Sequence, residues 1–462
     1  MKFGIKEILL NRHAIQTIAL IVIHQSIIAS SALFLTKLID QFNSGLPYLS
    51  YLALYFLSMA LPFVPGCASF WTLTNWQNST HAKYVHAVAS KISGRIDLYR
   101  SSEMKDEVVG ILSRNSFGIV ALVCTYLHGS LSFLLNSSLS IIVIGFILPS
   151  DLALGYAISA VLSAAIIIFA SPAIARRSAN IENSNISYGN DLGKAWGNLT
   201  IDNAYNRMLW ENGTQASGSR YYDESKKLSL IRQANNFLLG MIALIPTMYL
   251  IYQISKTGSA APAVIAAIIV NLTRVIHILN SFSELIYQIL DLKGVLSRLL
   301  ILSNILTRLD NAAPTLPIRP SGLVFINNSP IVQYEPVIDE ILQEKTGRFT
   351  ITGANGSGKS TFLACLKIRL GQRGFFLPSN TQELTWKSRE HAASTGQQML
   401  SVLREVTDVS RAQYLLLDEW DSNLDTQNKR TIDEWLDQLS STCVIVEVRH
   451  GLDLLNSRHP TT

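Results

Sequence analysis

Charged residues are scarce in this sequence. They make up only 15% of the 462 residues, whereas soluble globular chains average about 25%. The mean hydropathy is positive, at +0.25. A composition of this kind argues against a soluble protein and indicates a membrane protein, and the length is sufficient for two or three domains.

Cysteine is also rare. The four cysteines lie far apart and form no C-x-x-C pair, so neither a disulfide framework nor a zinc site is indicated. We interpret them as buried reduced thiols. They are Cys67, Cys124, Cys365 and Cys443.

Long apolar runs are present instead. Six segments reach the ~20 residues that a helix needs to cross a bilayer. A signal peptide cleaved near residues 29–31 is an alternative for the first, but its apolar run continues to full spanning length, which favours an uncleaved helix. The segments lie near 14–38, 48–72, 117–148, 151–171, 231–254 and 260–290.

Thirteen lysine and arginine residues lie in two long polar connections, between the second and third segments and between the fourth and fifth, so their distribution is more informative than the net charge of +5. By the positive-inside rule, both connections, the N-terminus and everything after residue 290 are cytoplasmic. The rule accounts for the basic residues, so we do not expect nucleic-acid binding. Apolar residues at helical spacing in the first connection favour cytoplasmic continuations of the membrane helices over a separate soluble insertion. They are Tyr84, Val88, Ile92 and Ile96.

A proline-punctuated stretch at 310–322 predicts a linker between two domains. Residues 1–309 hold the six apolar segments and predict an α-helical transmembrane domain with long cytoplasmic helix extensions. Residues 323–462 alternate short apolar runs with helical patterns, which predicts an α/β domain with buried parallel strands. The predicted strands are Phe349–Thr352, Gly374–Leu377, Tyr414–Leu417 and Cys443–Val448.

The stretch from Gly353 to Thr361 fits the phosphate-binding pattern G-x-x-x-x-G-K-[ST]. A β-like run precedes it and a helical run follows, which separates it from the alternative, a glycine-rich turn before an ordinary helix. Its backbone N–H groups and the positive end of the helix favour a bound phosphate. We expect Lys359 to reach the β- and γ-phosphates of ATP and Ser360 to ligate Mg²⁺. The predicted nucleotide-binding residues are Gly353, Asn355, Gly356, Ser357, Gly358, Lys359, Ser360 and Thr361.

An acidic pair follows the apolar run that begins at Tyr414. This pattern puts two carboxylates at the carboxyl edge of the predicted sheet, beside the phosphates. We expect Asp418 to hold Mg²⁺, directly or through water, and Glu419 to polarise the water that attacks the γ-phosphate.

These motifs resemble the nucleotide-binding domain of ATP-binding-cassette (ABC) transporters. The run from Asp418 to Asp425 is similar to that family's acidic strand end and D-loop. The resemblance implies that His450 is the switch histidine that contacts the γ-phosphate, with a plain surface histidine as the alternative. A degenerate form of the family's signature, in which Ala393 and Thr395 depart from L-S-G-G-Q, would bind the γ-phosphate held by a partner subunit. Its matching residues are Ser394, Gly396 and Gln397.

Two further roles are implied by the same resemblance. Tyr334 is a candidate for the aromatic residue that stacks on adenine, although a packing tyrosine is an equal alternative. Gln382 is a candidate for the glutamine that joins nucleotide and Mg²⁺ to the membrane helices. Only a dozen residues separate it from Ser394, so we predict a reduced helical subdomain, which puts conventional coupling in doubt.

The whole chain resembles an ABC exporter half-transporter, closest to the bacterial subgroup that exports cyclic peptides and siderophores. Residues 204–211 occupy the position of its second intracellular coupling segment. The resemblance implies a homodimer in the bacterial cytoplasmic membrane that exports an amphipathic small molecule or peptide by alternating access. Heterodimerisation, a lipid or drug exporter, and an ATP-binding membrane regulator that does not pump are alternatives. An importer is disfavoured by the fused six-helix topology.

Polar residues recur along the last apolar segment at i, i+3, i+7, i+10 and i+14. They form a stripe on one helix face, and ionisable groups in a membrane span normally face a cavity or a partner. We interpret the stripe as the lining of a substrate cavity. Pairing inside the bundle, or a position at the cytoplasmic interface for the last two, is the alternative. The residues are Arg274, His277, Ser281, Glu284 and Gln288.

Overall fold

The computed structural model describes residues 9–99, 101–147, 150–257, 262–312, 317–381, 384–387, 395–410, 412–422 and 424–449. The chain forms two compact units. The first comprises residues 1–88 and 110–306, and the second comprises residues 89–109 and 307–462. The second unit therefore contains a piece of the first long connection as well as the C-terminal domain.

Long helices build the first unit. They are α1 (Arg12–Asn43), α2 (Leu49–Ala60), α3 (Phe63–Ile92), α6 (Ser116–Ile147), α7 (Ser150–Gly193), α9 (Ala204–Thr257) and α10 (Pro262–Asn311). Shorter elements join them: α4 (Ile96–Tyr99), α5 (Ser102–Gly110), a π-helix (Ile111–Asn115) and α8 (Ala195–Thr200). Asn11 begins α1, because its side chain accepts hydrogen bonds from the amides of His13 and Ala14.

Four stretches of helix are long and apolar enough to cross a membrane: Arg12–Asn43, Leu49–Ile92, Ser116–Leu139 and Val161–Thr200. Within the part of the chain that the structure describes, these four stretches overlap the first four predicted segments, the fourth only over residues 161–171, and they indicate a multi-pass membrane protein. The fifth and sixth predicted segments fall in α9 and α10, where part of the chain lies outside the description. The count of six spans therefore stays a prediction.

The second long connection is helical, as predicted. Helix α7 has 44 residues and α9 has 54, so at 1.5 Å per residue they extend about 66 and 81 Å. A bilayer core is only about 30 Å thick, and both helices must project well beyond it. An ion pair of 2.7 Å between Arg177 and Glu224 joins the two helices.

The first connection is less regular than predicted. The spacing of Tyr84, Val88, Ile92 and Ile96 predicts one continuous helix, but α3 ends at Ile92 and a new short helix begins at Ile96. Gly94 lies between them with a φ of +75°, a left-handed conformation that ends helices. Interrupted helices therefore replace the single extension.

The second unit contains a mixed six-stranded sheet in the order β2-β1-β3-β6-β5-β4. Strands β3, β6, β5 and β4 are parallel, and the hairpin β1–β2 joins β3 antiparallel. The strands are β1 (Val324–Ile326), β2 (Ser329–Pro330), β3 (Gly347–Gly353), β4 (Gly374–Leu377), β5 (Tyr414–Asp418) and β6 (Val444–Val448). The four predicted strands are confirmed, and the hairpin was not predicted.

Helices cover both faces of this sheet. Helices α11 (Tyr334–Gln343) and α12 (Lys359–Leu370) bury one hydrophobic core, and α13 (Thr395–Ser410) and α14 (Thr426–Leu439) bury another. The burial explains the near-continuous apolar runs of the parallel strands, since both faces of each strand are covered. All five residues of β5 and of β6 are buried.

Candidate functional site

The predicted phosphate loop joins β3 to α12. It has the predicted strand–loop–helix context, and Gly358 precedes the helix with a φ of +111°. A Cβ atom at this position would lie 2.5 Å from Tyr334 Oη. Both the conformation and the lack of space therefore require glycine here. Asn355 and Gly356 are exposed at the tip of the loop.

Lys359 places a positive charge inside the loop. The residue is only 6% exposed, and its Nζ donates to the carbonyl oxygens of Gly353 at 2.9 Å and Ala354 at 3.1 Å. The ammonium group is thus held beside the backbone N–H groups of the loop. An anion placed in this loop would meet both the lysine and the N-terminus of a 12-residue helix.

Ser360 and Asp418 meet at the edge of the loop. Ser360 Oγ donates to Asp418 Oδ1 at 2.9 Å, although the two residues are far apart in sequence. The pairing of β3 with β6 and of β6 with β5 sets Ile351, Val448 and Asp418 level with one another. A hydroxyl beside a carboxylate is a set of hard oxygen donors that suits Mg²⁺.

Two further hydroxyl groups border the loop. Thr352 Oγ1 and Ser357 Oγ are shielded from solvent and have no hydrogen-bond partner among the residues that the structure describes. Unsatisfied polar atoms are unusual in folded proteins and call for an explanation. The fit to a phosphate group rests instead on the Lys359 ammonium group, the start of α12 and the Ser360 hydroxyl beside Asp418.

Glu419 adopts a strained backbone conformation directly after β5. Its φ is +46°, which is uncommon for a residue other than glycine and occurs most often at functional sites. Its amide donates to the carbonyl of Val448 at 2.9 Å, and its own carbonyl accepts from the amide of Ser422 at 3.2 Å. The turn that carries the predicted catalytic carboxylate is therefore fixed to the end of β6.

Tyr334 lies inside the core rather than on the surface. It is 2% exposed, its ring packs edge-on against Phe362, and its hydroxyl donates to the carbonyl of Gly358 at 3.0 Å. A buried ring has no free face on which adenine could stack. The structure supports the packing alternative, in which Tyr334 supports the phosphate loop from beneath, and the adenine role is not carried forward.

Several predicted residues lie outside the described part of the chain. They are Gln382, Ser394 and His450. Gly396 and Gln397 lie in the first turn of α13, and their side chains are not described. The start of a helix is where the signature resemblance expects them.

The predicted substrate stripe is described only in part. Arg274, His277 and Ser281 lie on α10, but their side chains are not described, and Glu284 is exposed. A cavity of about 1020 Å³ lies farther along the same helix and is lined by Gln288 and Asp291. The cavity is larger than many small-molecule pockets, which span about 300–1,000 Å³.

Gln288 organises one wall of this cavity. Tyr126 Oη donates to the Gln288 carbonyl at 2.6 Å, and Ser130 donates to its side chain. Asp291 pairs with Arg232 at 3.0 Å. The wall thus combines satisfied polar groups with apolar neighbours such as Leu122 and Ile174. Of the five residues in the stripe, the structure places Gln288 at a cavity.

A partly buried ion network, in which Glu447 alone is fully buried, lies beneath the turn at Glu419 and was not predicted from the sequence. Arg348 pairs with Asp433 and with Glu447, and Arg449 pairs with the same two carboxylates. Burial alone would raise the pKa of Asp433, but hydrogen bonds from Arg449 and Arg348 outweigh it and lower this pKa below its ordinary 3.8. One feature of the sequence indicates such a network: Glu447 is a charged residue within the apolar run of β6.

No protein-family model matches the sequence, and no curated protein matches it significantly. The class of the protein therefore rests on its fold. A helical region with four apolar helices of membrane-spanning length precedes an α/β domain with a mixed six-stranded sheet.

The ion network predicts a loss of stability in acid. The pKa of Asp433 is lower in the folded state than in the unfolded state, so the ionised carboxylate stabilises the fold. This stabilisation is fully present at pH values above the ordinary pKa of the group, and it is lost as the pH falls through the pKa of the folded state. We expect the melting temperature of the wild type to decrease once the pH drops below about 4. The decrease should be less steep in Asp433→Asn, which is already less stable than the wild type at neutral pH. Glu434→Gln, which removes an exposed pair with Arg430 on the same helix, is the control. Equal pH slopes for Asp433→Asn and wild type would contradict the assignment.

Proposed function

We propose that this chain is an ATP-driven exporter, built as an ABC half-transporter that works as a homodimer in the bacterial cytoplasmic membrane. The observation that carries the proposal is the 2.9 Å contact between Ser360 and Asp418 at a phosphate loop, directly before Glu419. Its cargo would be a small amphipathic molecule, such as a peptide natural product or a siderophore-like compound.

The phosphate loop would hold the triphosphate of ATP. Backbone N–H groups of the loop, the start of α12 and the Lys359 ammonium group all present positive charge to it. Ser360 and Asp418 would hold Mg²⁺, which neutralises charge on the β- and γ-phosphates when bound.

Glu419 would orient and polarise the attacking water. It directly follows the proposed Mg²⁺ ligand, and its backbone is fixed to β6. Attack by the oxygen of this water on the γ-phosphorus breaks the bond to the β-phosphate and releases ADP and inorganic phosphate. A carboxylate held in a rigid turn needs little reorganisation during this step.

A second copy of the chain would complete each nucleotide site. One polypeptide carries one phosphate loop and one signature-like segment, so two chains would enclose two ATP molecules between Lys359 of one and Ser394, Gly396 and Gln397 of the other. His450 and Gln382 keep their predicted roles at the γ-phosphate and at Mg²⁺.

The first cytoplasmic connection offers a route between nucleotide and membrane helices. Residues 89–109 belong to the same compact unit as the α/β domain, and the Tyr99 ring lies edge-on to Phe376 of β4 with 6.1 Å between ring centroids. Arg308 near the end of α10 pairs with Glu103 and Glu107 of α5. These contacts support coupling between the nucleotide site and the membrane helices through residues 89–109. Such a route would not require the helical subdomain that is predicted to be reduced.

The turn between α7 and α9 supports the proposed dimer. Trp196 is 82% exposed there, with Ile201 and Tyr205 also exposed. Apolar groups clustered at the tip of a long helical hairpin normally mark a contact surface. In the proposed homodimer this tip, which includes the predicted coupling segment at 204–211, docks on the second copy.

The cavity beside Gln288 supports an amphipathic cargo. Its walls combine hydroxyl, amide and charged groups, the last from Asp291, Lys293 and Arg298, with aliphatic side chains, a mixture that matches a peptide with both polar and apolar groups. A lipid or drug-like compound would meet the same chemistry and is the alternative cargo.

A membrane regulator that binds ATP without pumping is the second candidate. The short connection between Gln382 and Ser394 favours it, because it leaves little chain for a helical subdomain. Transport of a candidate cargo into inside-out vesicles separates the two functions, since only a pump accumulates cargo when ATP is added.

Glu419→Gln tests the proposed hydrolysis directly. The amide cannot polarise water as a carboxylate does, so we expect the ATPase rate to fall about a hundredfold or more, with ATP binding unchanged. Phosphate release and nucleotide affinity are measured on the purified full-length chain. Glu434→Gln, an exposed substitution on α14, should keep the wild-type rate. An unchanged rate in Glu419→Gln would rule out the proposed mechanism.

Gly358→Ala tests the loop geometry. The added methyl group would lie 2.5 Å from Tyr334 Oη in a left-handed conformation, so we expect ATP affinity to fall more than about tenfold. Gly356→Ala is the matched control, because Gly356 is also left-handed, with a φ of +77°, but its Cβ would meet open space. Adding Tyr334→Phe to Gly358→Ala should restore part of the affinity by removing the hydroxyl. Equal losses in the two alanine variants would show that Tyr334 does not constrain the loop.

A further inference from the structure

Glu447 is a buried charge in the middle of the sheet. It lies on β6, level with Thr350 of β3 and Leu417 of β5, and it is 0% exposed. A carboxylate in such a position is strongly unfavourable unless it is paired and hydrogen-bonded. The surrounding residues of β6 are all apolar.

Five hydrogen bonds compensate this charge. Arg348 donates to Oε1 from Nε at 3.1 Å and to Oε2 from Nη2 at 3.0 Å. Thr350 Oγ1 and Arg449 Nε each donate to Oε1 at 3.0 Å. Trp420 Nε1 donates to Oε2 at 2.9 Å. Both carboxylate oxygens are therefore satisfied.

The Trp420 indole is fixed from two sides. Its N–H group donates to Glu447, and the Arg449 guanidinium lies 5.4 Å from its ring centroid. The residue is 2% exposed. Trp420 is therefore held in one position by the network that also surrounds Glu447.

Trp420 directly follows Glu419 in the strained turn. A left-handed backbone is unfavourable for glutamate and persists only when its surroundings hold it. The Glu419 amide contact to Val448 holds one side of the turn, and the anchored indole holds the other. The network thus acts on the residue that carries the proposed catalytic carboxylate.

Stability alone does not account for the carboxylate at 447. Replacing a buried ionic network with well-packed apolar residues is often neutral or stabilising, and valine and isoleucine fill the rest of β6. What an apolar residue could not supply is a fixed acceptor for the indole N–H group.

We propose that Glu447 and Trp420 are positioning residues that hold the Glu419 turn in its hydrolysis-competent conformation. This inference rests on the proposed function, because it assigns Glu419 the role of polarising water. Neither residue needs to touch the nucleotide.

Trp420→Phe tests the inference, because phenylalanine keeps an aromatic ring but lacks the N–H group. We expect kcat for ATP hydrolysis to fall at least about tenfold and the melting temperature to fall as well, since a buried hydrogen bond to a charged group is lost, while the KM for ATP changes little. Trp435→Phe, a partly buried tryptophan of the same core, is the control: it also trims a core side chain but should keep both kcat and KM. A purely structural role would lower the melting temperature of Trp420→Phe and leave its kcat at the wild-type value below that temperature.

If Trp420→Phe does not fold, Arg449→Lys provides a second test of the positioning role. Lysine keeps a positive charge but loses the flat guanidinium that lies on the indole, so we expect a smaller fall in kcat, about threefold, at unchanged KM. Glu419→Gln is measured in parallel. If that variant hydrolyses ATP normally, the proposed function fails; if it is inactive while Trp420→Phe and Arg449→Lys both keep the wild-type kcat, only the positioning role is overturned.

Discussion

The parallel pairing of β3, β6 and β5 is the constraint on which the candidate site depends. It sets Ile351, Val448 and Asp418 level across three strands, so the phosphate loop after β3 and the acidic pair after β5 emerge at the same edge. The hydrogen bond from Ser360 to Asp418 is the direct consequence. Glu447, inside the same sheet, accepts a hydrogen bond from Trp420 in the turn that follows Asp418. The core of the domain therefore contacts the turn that carries the proposed catalytic residue Glu419.

Much of the α/β domain could be predicted because its signals are local. Doubly covered parallel strands appear as short apolar runs, and the spacing of glycines, Lys359 and Ser360, between a β-like run and a helical run, predicts a phosphate loop. The hairpin β1–β2 was missed because its strands have only three and two residues. Tyr334 was ambiguous for a physical reason: whether a tyrosine faces solvent or the core depends on tertiary packing, which its position in the sequence does not specify.

In the helical unit, local sequence signals predicted the helices but few of the contacts between them. Hydropathy predicted six apolar segments, because a bilayer requires a minimum length of apolar chain, and the described residues form helices of spanning length at the first four. Hydropathy does not determine which residues of neighbouring helices meet. The position of the cavity was therefore not predicted: it lies beside Gln288, one or more turns beyond most of the predicted polar stripe. The break at Gly94 was missed for a similar reason, since periodicity alone does not register a single left-handed glycine. The grouping of residues 89–109 with the α/β domain is a long-range feature of the same kind.

The central claim is that the loop, Asp418 and Glu419 together hydrolyse ATP with Mg²⁺. The most direct measurement is the release of inorganic phosphate from ATP by the purified full-length chain in lipid nanodiscs, with Mg²⁺ and with the metal removed by EDTA. The account predicts sustained release that requires Mg²⁺. Recovery of intact ATP from the protein in the presence of Mg²⁺ would contradict it.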